Sequence, residues 1–151
     1  MDNSSGNGIT SLFGRILLSA IFIVSGFSKL FIFHSVARML AGKGFPLATI
    51  AAGIAIAIEL LGGLAILLGF QAKAIAWIVF LYLIPTTLMF HNFWAMQGAM
   101  RMDNQVHFLK NLAIMGGLLL LASNGPGRYA LDTSASRGSM SERAVRAAEA
   151  P

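Results

Sequence analysis

Residues 47–90 read LATIAAGIAIAIELLGGLAILLGFQAKAIAWIVFLYLIPTTLMF. Two apolar runs, from about Leu47 to Gly69 and from Ala72 to Phe90, are joined by the short connection FQAK. They must therefore form adjacent antiparallel helices. Each run is near the roughly 20 residues that cross about 30 Å of hydrocarbon, and neither offers the polar face that a helix in water requires. The pair reads as a transmembrane hairpin.

Apolar segments at about residues 9–33 and 106–123 extend this reading, the second being short and opening in polar residues. The expected fold is an all-α integral membrane protein, a four-transmembrane-helix bundle over residues 9–132. Composition agrees: 56% of the 151 residues are hydrophobic and only 11% charged, against roughly 25% charged in soluble domains. Mean hydropathy is +0.73. Residues 1–8 read as a flexible N-terminus. They contain no Lys or Arg, and the following apolar run is too long for a signal-peptide core and contains Arg15. The first helix is thus expected to be retained. Residues 133–151 read as a disordered basic tail, in which Ser139 and Glu142 have capping-box spacing.

A formal charge of +5 and a pI near 10.3 place the basic residues in loops and a tail beside apolar helices. Anionic lipid headgroups, and not nucleic acid, are the expected partners. The absence of cysteine excludes disulfides, thiol relays and Cys-ligated clusters within this subunit. With four spans both termini share one side. That side carries Lys73, Arg128, Arg137, Arg143 and Arg146, whereas the other carries Arg38, Lys43 and Arg101. The positive-inside rule then puts both termini in the cytoplasm.

Glu59 is the ionisable residue in the middle of the second segment, where a charge costs about 2.5 to 3.5 kcal/mol on insertion scales. Gly62 and Gly63, three and four residues on, share its face and admit a neighbouring backbone, so Glu59 faces the bundle interior. In the first segment Arg15, Ser19, Phe22, Gly26 and Lys29 align on one helix face. Either cation could turn inward to Glu59, and depth does not choose between them. Thr87 and His91 lie one turn apart after Pro85, and the fourth segment opens with Lys110 and Asn111. Lys29, His91, Lys110 and Asn111 are expected to ring the outer mouth, with Glu59 beneath them.

Two readings follow: the ring is a pocket for a ligand or proton path, or it merely holds the helices together through contacts worth about 0.6 kcal/mol each. Bis-histidine haem is not expected, because only His91 among His34, His91 and His107 is placed inward on a helix. A di-iron site would need Glu-x-x-His pairs that are absent, so no metal is expected. Trp77, Phe93 and Trp94 read as interface aromatics. The connection HSVARMLAGKGFP (34–46) has a portion suited to a short interfacial helix, and HNFWAMQGAMRMDNQVH (91–107) is the longest loop.

The ordered series GRILLSAIFIVSGFSKL, IELLGGLAILLGF, HNFW, KNLAIMGGLLLL and GPGRYALD, from Gly14 to Asp132, resembles the DoxX family of small bacterial inner-membrane proteins. The resemblance implies a four-helix protein linked to membrane redox chemistry and related to the membrane part of thiosulfate:quinone oxidoreductase. Its pattern falls on Arg15, Gly26 and Lys29, on Glu59, Gly62 and Gly63, on His91, and on Lys110, Asn111, Gly116 and Gly117. The glycines are expected to serve helix packing. The leading expectation is an oxidoreductase subunit with quinone as its cofactor: Glu59 transfers protons, His91, Lys110 and Asn111 meet the headgroup, and Arg15 or Lys29 is the counter-ion. Partners would be lipid and either a redox subunit or further copies of the chain. The alternatives are a non-catalytic scaffold and a small transporter, the latter favoured by the faint repetition between ELLGGLAILLG and KNLAIMGGLLLL.

Overall fold

A chain dissolved in lipid must satisfy its backbone polar groups internally, and helices do so within one segment. The computed structural model describes residues 3–132. Its elements are α1 (Asn3–Phe31), α2 (Phe33–Gly42), α3 (Ala48–Leu68), α4 (Ala72–Phe90), a 3-10 turn (Phe93–Ala95) and α5 (Gly98–Asn124). Among the described residues, α1, α3, α4 and α5 supply the four spans long and apolar enough to cross a membrane. The expected tail, residues 133–151 with Ser139 and Glu142, lies outside the described residues. We call the side bearing the start of α1 and the end of α5 the terminal face, and the side bearing α2 the loop face.

Phe22, Ile66, Val79, Leu83 and Leu118 form an apolar core, but burial otherwise departs from that of a protein in water. Leu17, Phe31, Leu81 and Leu120 are exposed, whereas Arg15, Ser19, Glu59, Thr87 and Asn111 are buried. Lipid is the solvent for the exposed apolar side chains, and the interior is where these polar groups find partners.

Glycines set the helix spacing. A Cβ at Gly26 would stand 2.9 Å from the Leu60 amide nitrogen, and one at Gly63 would stand 3.0 Å from the Phe22 Cβ, so α1 and α3 pack backbone against backbone. Gly62, turned about 100° from Gly63, meets Val79 of α4 instead, where a Cβ would be 3.0 Å from its Cγ2. Gly117 would place a Cβ 3.3 Å from Leu18 of α1. Gly116 departs from its expected packing role: it points to open space, one residue around the helix from the contact that Gly117 makes. The principal pairings are α1 with α3 and α4 with α5, joined through α3 and α4, while α1 and α5 touch only briefly.

Three boundaries differ from the sequence reading. The first helix begins at Asn3, not Ile9, because its opening turns lean on the segment after α5: Gly8 lies where a Cβ would be 3.1 Å from the Arg128 Cβ. It ends at Phe31, and after a break at Ile32 the chain re-enters a helix as α2, whose Val36 and Leu40 pack on Ala52 of α3. The fourth spanning helix starts at Gly98 rather than near Val106. The stretch GAMRMDNQVH is polar, but its Met, Arg and Gln are good helix formers. The Asn104 amide also donates to the Met100 carbonyl one turn back at 3.0 Å.

Candidate functional site

Close approach at Gly26 brings α1 against Glu59, and Lys29 lies one turn further on the same face. The Lys29 ammonium pairs with Glu59 Oε1. The Tyr82 hydroxyl of α4 donates to the same oxygen at 2.6 Å. Glu59 is 4% exposed, and its second oxygen, Oε2, is buried without a hydrogen-bond partner. A carboxylate oxygen so placed is costly unless something else satisfies it.

Glu59 lines a cavity of about 540 Å³ together with Lys29, Thr86, His91, Lys110 and Asn111. Apolar walls from Ile21, Phe22, Leu83 and Ile114 complete it. Asn111 of α5 donates to the Thr87 hydroxyl of α4 at 3.0 Å, fixing the pair that carries His91 and Lys110. At the mouth His91 and His107 stack with centroids 5.1 Å apart. His91 Nδ1 lies 3.3 Å from Asn104 Oδ1, and Lys110 Nζ lies 3.0 Å from His107 Nδ1. Asp103 stands 3.7 Å from His107 Nε2.

The cavity therefore gathers five of the six predicted charged or polar residues: Glu59, Lys29, His91, Lys110 and Asn111. Arg15 is the correction. It is 2% exposed and lies on the same face of α1, but more than three turns from Lys29, where it meets the end of α3. Its guanidinium donates to the carbonyls of Ile66 at 3.3 Å and Leu67 at 2.6 Å, and to the Tyr129 carbonyl. These are the unsatisfied carbonyls of a helix C-terminus, where a cation is also favoured by the helix dipole.

Tyr129 belongs to GPGRYALD, which does more than end α5. Asp132 accepts from the amides of Gln71 at 2.8 Å and Ala72 at 3.0 Å, capping α4. Ser11 donates to the Pro126 carbonyl at 2.8 Å. This strap ties α1, α3 and α4 together at the terminal face. On the loop face Lys43 donates to the Met89 carbonyl at 2.7 Å and lies 5.4 Å from the Phe90 ring centroid, pinning the chain after α2 over the end of α4. Phe93 and Trp94, read as interface aromatics, pack edge-on against Phe108 at 5.4 and 5.9 Å.

Tyr82 is a site residue that the sequence reading does not include. Its signal was a phenol in the middle of an apolar helix, where the hydroxyl needs a partner.

Residues 10–92 match the family model described as DoxX. The chain is 34% identical over 131 residues to the inner membrane protein YphA of Escherichia coli K12, covering 87% of this chain and 94% of that protein. It is 36% identical over 121 residues to the inner membrane protein YqjF of the same organism, covering 80% and 88%. A Surfeit locus protein 4 homolog of Schizosaccharomyces pombe is 32% identical over 69 residues, 44% of this chain and 23% of that protein. No solved structure matches.

Proposed function

The chain belongs to the DoxX family and is a multi-pass inner-membrane protein, and from that premise we propose that it is a redox-associated subunit whose cavity receives a quinone headgroup. The observation that carries this reading is Glu59: a nearly buried carboxylate with one oxygen accepting from both Lys29 and Tyr82 and the other left without a hydrogen-bond partner.

The donor set fits a quinone. Its carbonyls accept hydrogen bonds, and Lys110 and His91 line the cavity as potential donors. The free Glu59 oxygen suits the protonated, hydroxylated form equally well. A bound quinone would supply reversible two-electron, two-proton chemistry, its electrons exchanged with a partner protein. In this reading Glu59 accepts or returns a proton at Oε2. Lys29 compensates the carboxylate charge, Tyr82 fixes the carboxyl plane, and Ile21, Phe22 and Leu83 keep water away. Both termini lie in the cytoplasm, so that the His91–His107 mouth faces outward. The transporter alternative gains no help from the terminal face, where Arg15 and the strap tie the helix ends together.

Titrating purified protein in mild detergent with ubiquinone-0, the tail-less headgroup, and following tryptophan fluorescence tests the proposal. Hydrogen bonds to charged donors are worth about 1.5–3 kcal/mol, so Lys110→Met should weaken binding by about tenfold or more. His91→Phe should weaken it as well. Unchanged affinity in both variants would remove the headgroup role.

A further inference from the structure

α1 and α5 leave a lateral groove between them. It has a volume of about 1080 Å³, and Gly14, Leu17, Ala113, Gly117 and Leu120 are among its lining residues. It runs along α5 from Lys110 to Asn124, about 21 Å at the helical rise. Three of its residues, Ile21, Lys110 and Ile114, also line the Glu59 cavity. The polar cavity and the apolar groove thus adjoin, sharing a wall that includes the cation Lys110.

This adjacency favours one kind of occupant. A polar solute fits the cavity but leaves the groove unexplained, whereas bulk acyl chains fit the groove but leave Glu59 Oε2 bare. One amphiphile satisfies both, with its head at Glu59 and its tail between α1 and α5. Resting on the headgroup reading above, we propose that this groove is the tail site for the same ligand, which slides in sideways from the lipid past Lys110 rather than from water. The small side chains of Gly14, Ala113 and Gly117 keep the channel open. Slight contact between α1 and α5 lets it face the bilayer directly.

Two substitutions fill the groove without disturbing packed neighbours. Ala113 is exposed, and a Cβ at Gly14 would meet nothing within 4 Å. Replacing Gly14 also improves helix propensity. The probes are ubiquinone-0 and decylubiquinone, which carries a linear tail, titrated into wild type, Ala113→Phe and Gly14→Leu. Wild type should bind decylubiquinone more tightly. Losing contact with two or three methylene groups corresponds to about tenfold or more, so both variants should lose at least that for decylubiquinone and keep their ubiquinone-0 affinity. If decylubiquinone binds the variants as it binds wild type, the groove holds only bulk lipid and the tail site is overturned. Equal losses for both probes in Gly14→Leu, distant from the cavity, would overturn it too. If wild type binds neither probe, the headgroup reading falls and this inference with it.

Discussion

Arg15→Leu is expected to lower the unfolding free energy by about 3 kcal/mol, read as a lower midpoint in detergent unfolding. The guanidinium is buried and bonds three carbonyls, two in the last turn of α3 and one in the strap at Tyr129. Hydrogen bonds to a charged group contribute about 1.5–3 kcal/mol each in water-soluble proteins and less in membranes, so three together reach the stated size after that discount. Leucine leaves all three carbonyls without their donor. The strap should loosen as well, making the chain near Tyr129 a new site for protease. Arg15→Lys should fall between, because a single ammonium cannot reproduce the planar fork. Wild-type unfolding in Arg15→Leu would contradict the assignment of Arg15 as the staple of the terminal face.

The second large effect concerns the ion pair. Lys29→Met leaves the Glu59 carboxylate inside the bundle with only Tyr82 as donor. Breaking a buried pair from one side costs about 3–5 kcal/mol, and because Lys29 is one-quarter exposed the lower end, about 3 kcal/mol, is expected. Lys29→Met combined with Glu59→Gln removes the stranded charge, so the double variant should unfold within about 1 kcal/mol of wild type. Losses that simply add would mean that Lys29 and Glu59 do not act as a pair.

These two cations show where the sequence was legible and where it stopped. Spacing placed Arg15 and Lys29 on one face of α1, and hydropathy placed Glu59 inside the bundle, but neither said which cation reaches the carboxylate. That choice depends on the vertical register of α1 against α3. Gly26 against Leu60 and Gly63 against Phe22 set the register, and such contacts between distant segments leave no mark on local periodicity. The same register carries Arg15 to the end of α3.

The spanning runs were readable because lipid selects long apolar stretches regardless of their neighbours. The start of α5 is not, since its polar stretch has the composition of a loop although the helix runs through Gly98–His107. Asp132 was equally silent. Its capping of α4 joins residues sixty positions apart, and in the sequence it is only the acid at the end of GPGRYALD. His107 stacks on His91 because α5 begins early enough to carry it as a helical residue. Once the helix extends, His107 and Lys110 are one turn apart on a common face.

The Glu59 carboxyl is either part of a ligand site or glue between helices, and quinone retention separates the two most directly. Wild type and Glu59→Gln, purified in mild detergent from the same membranes, would be extracted and their quinone content measured per protein. Glutamine preserves the size of the side chain while removing its charge and proton exchange. A ligand site at Glu59 gives quinone in the wild-type extract and its loss from Glu59→Gln, with both proteins folded. Extracts equally rich or equally empty would contradict it and leave the Lys29–Glu59–Tyr82 cluster as structural glue.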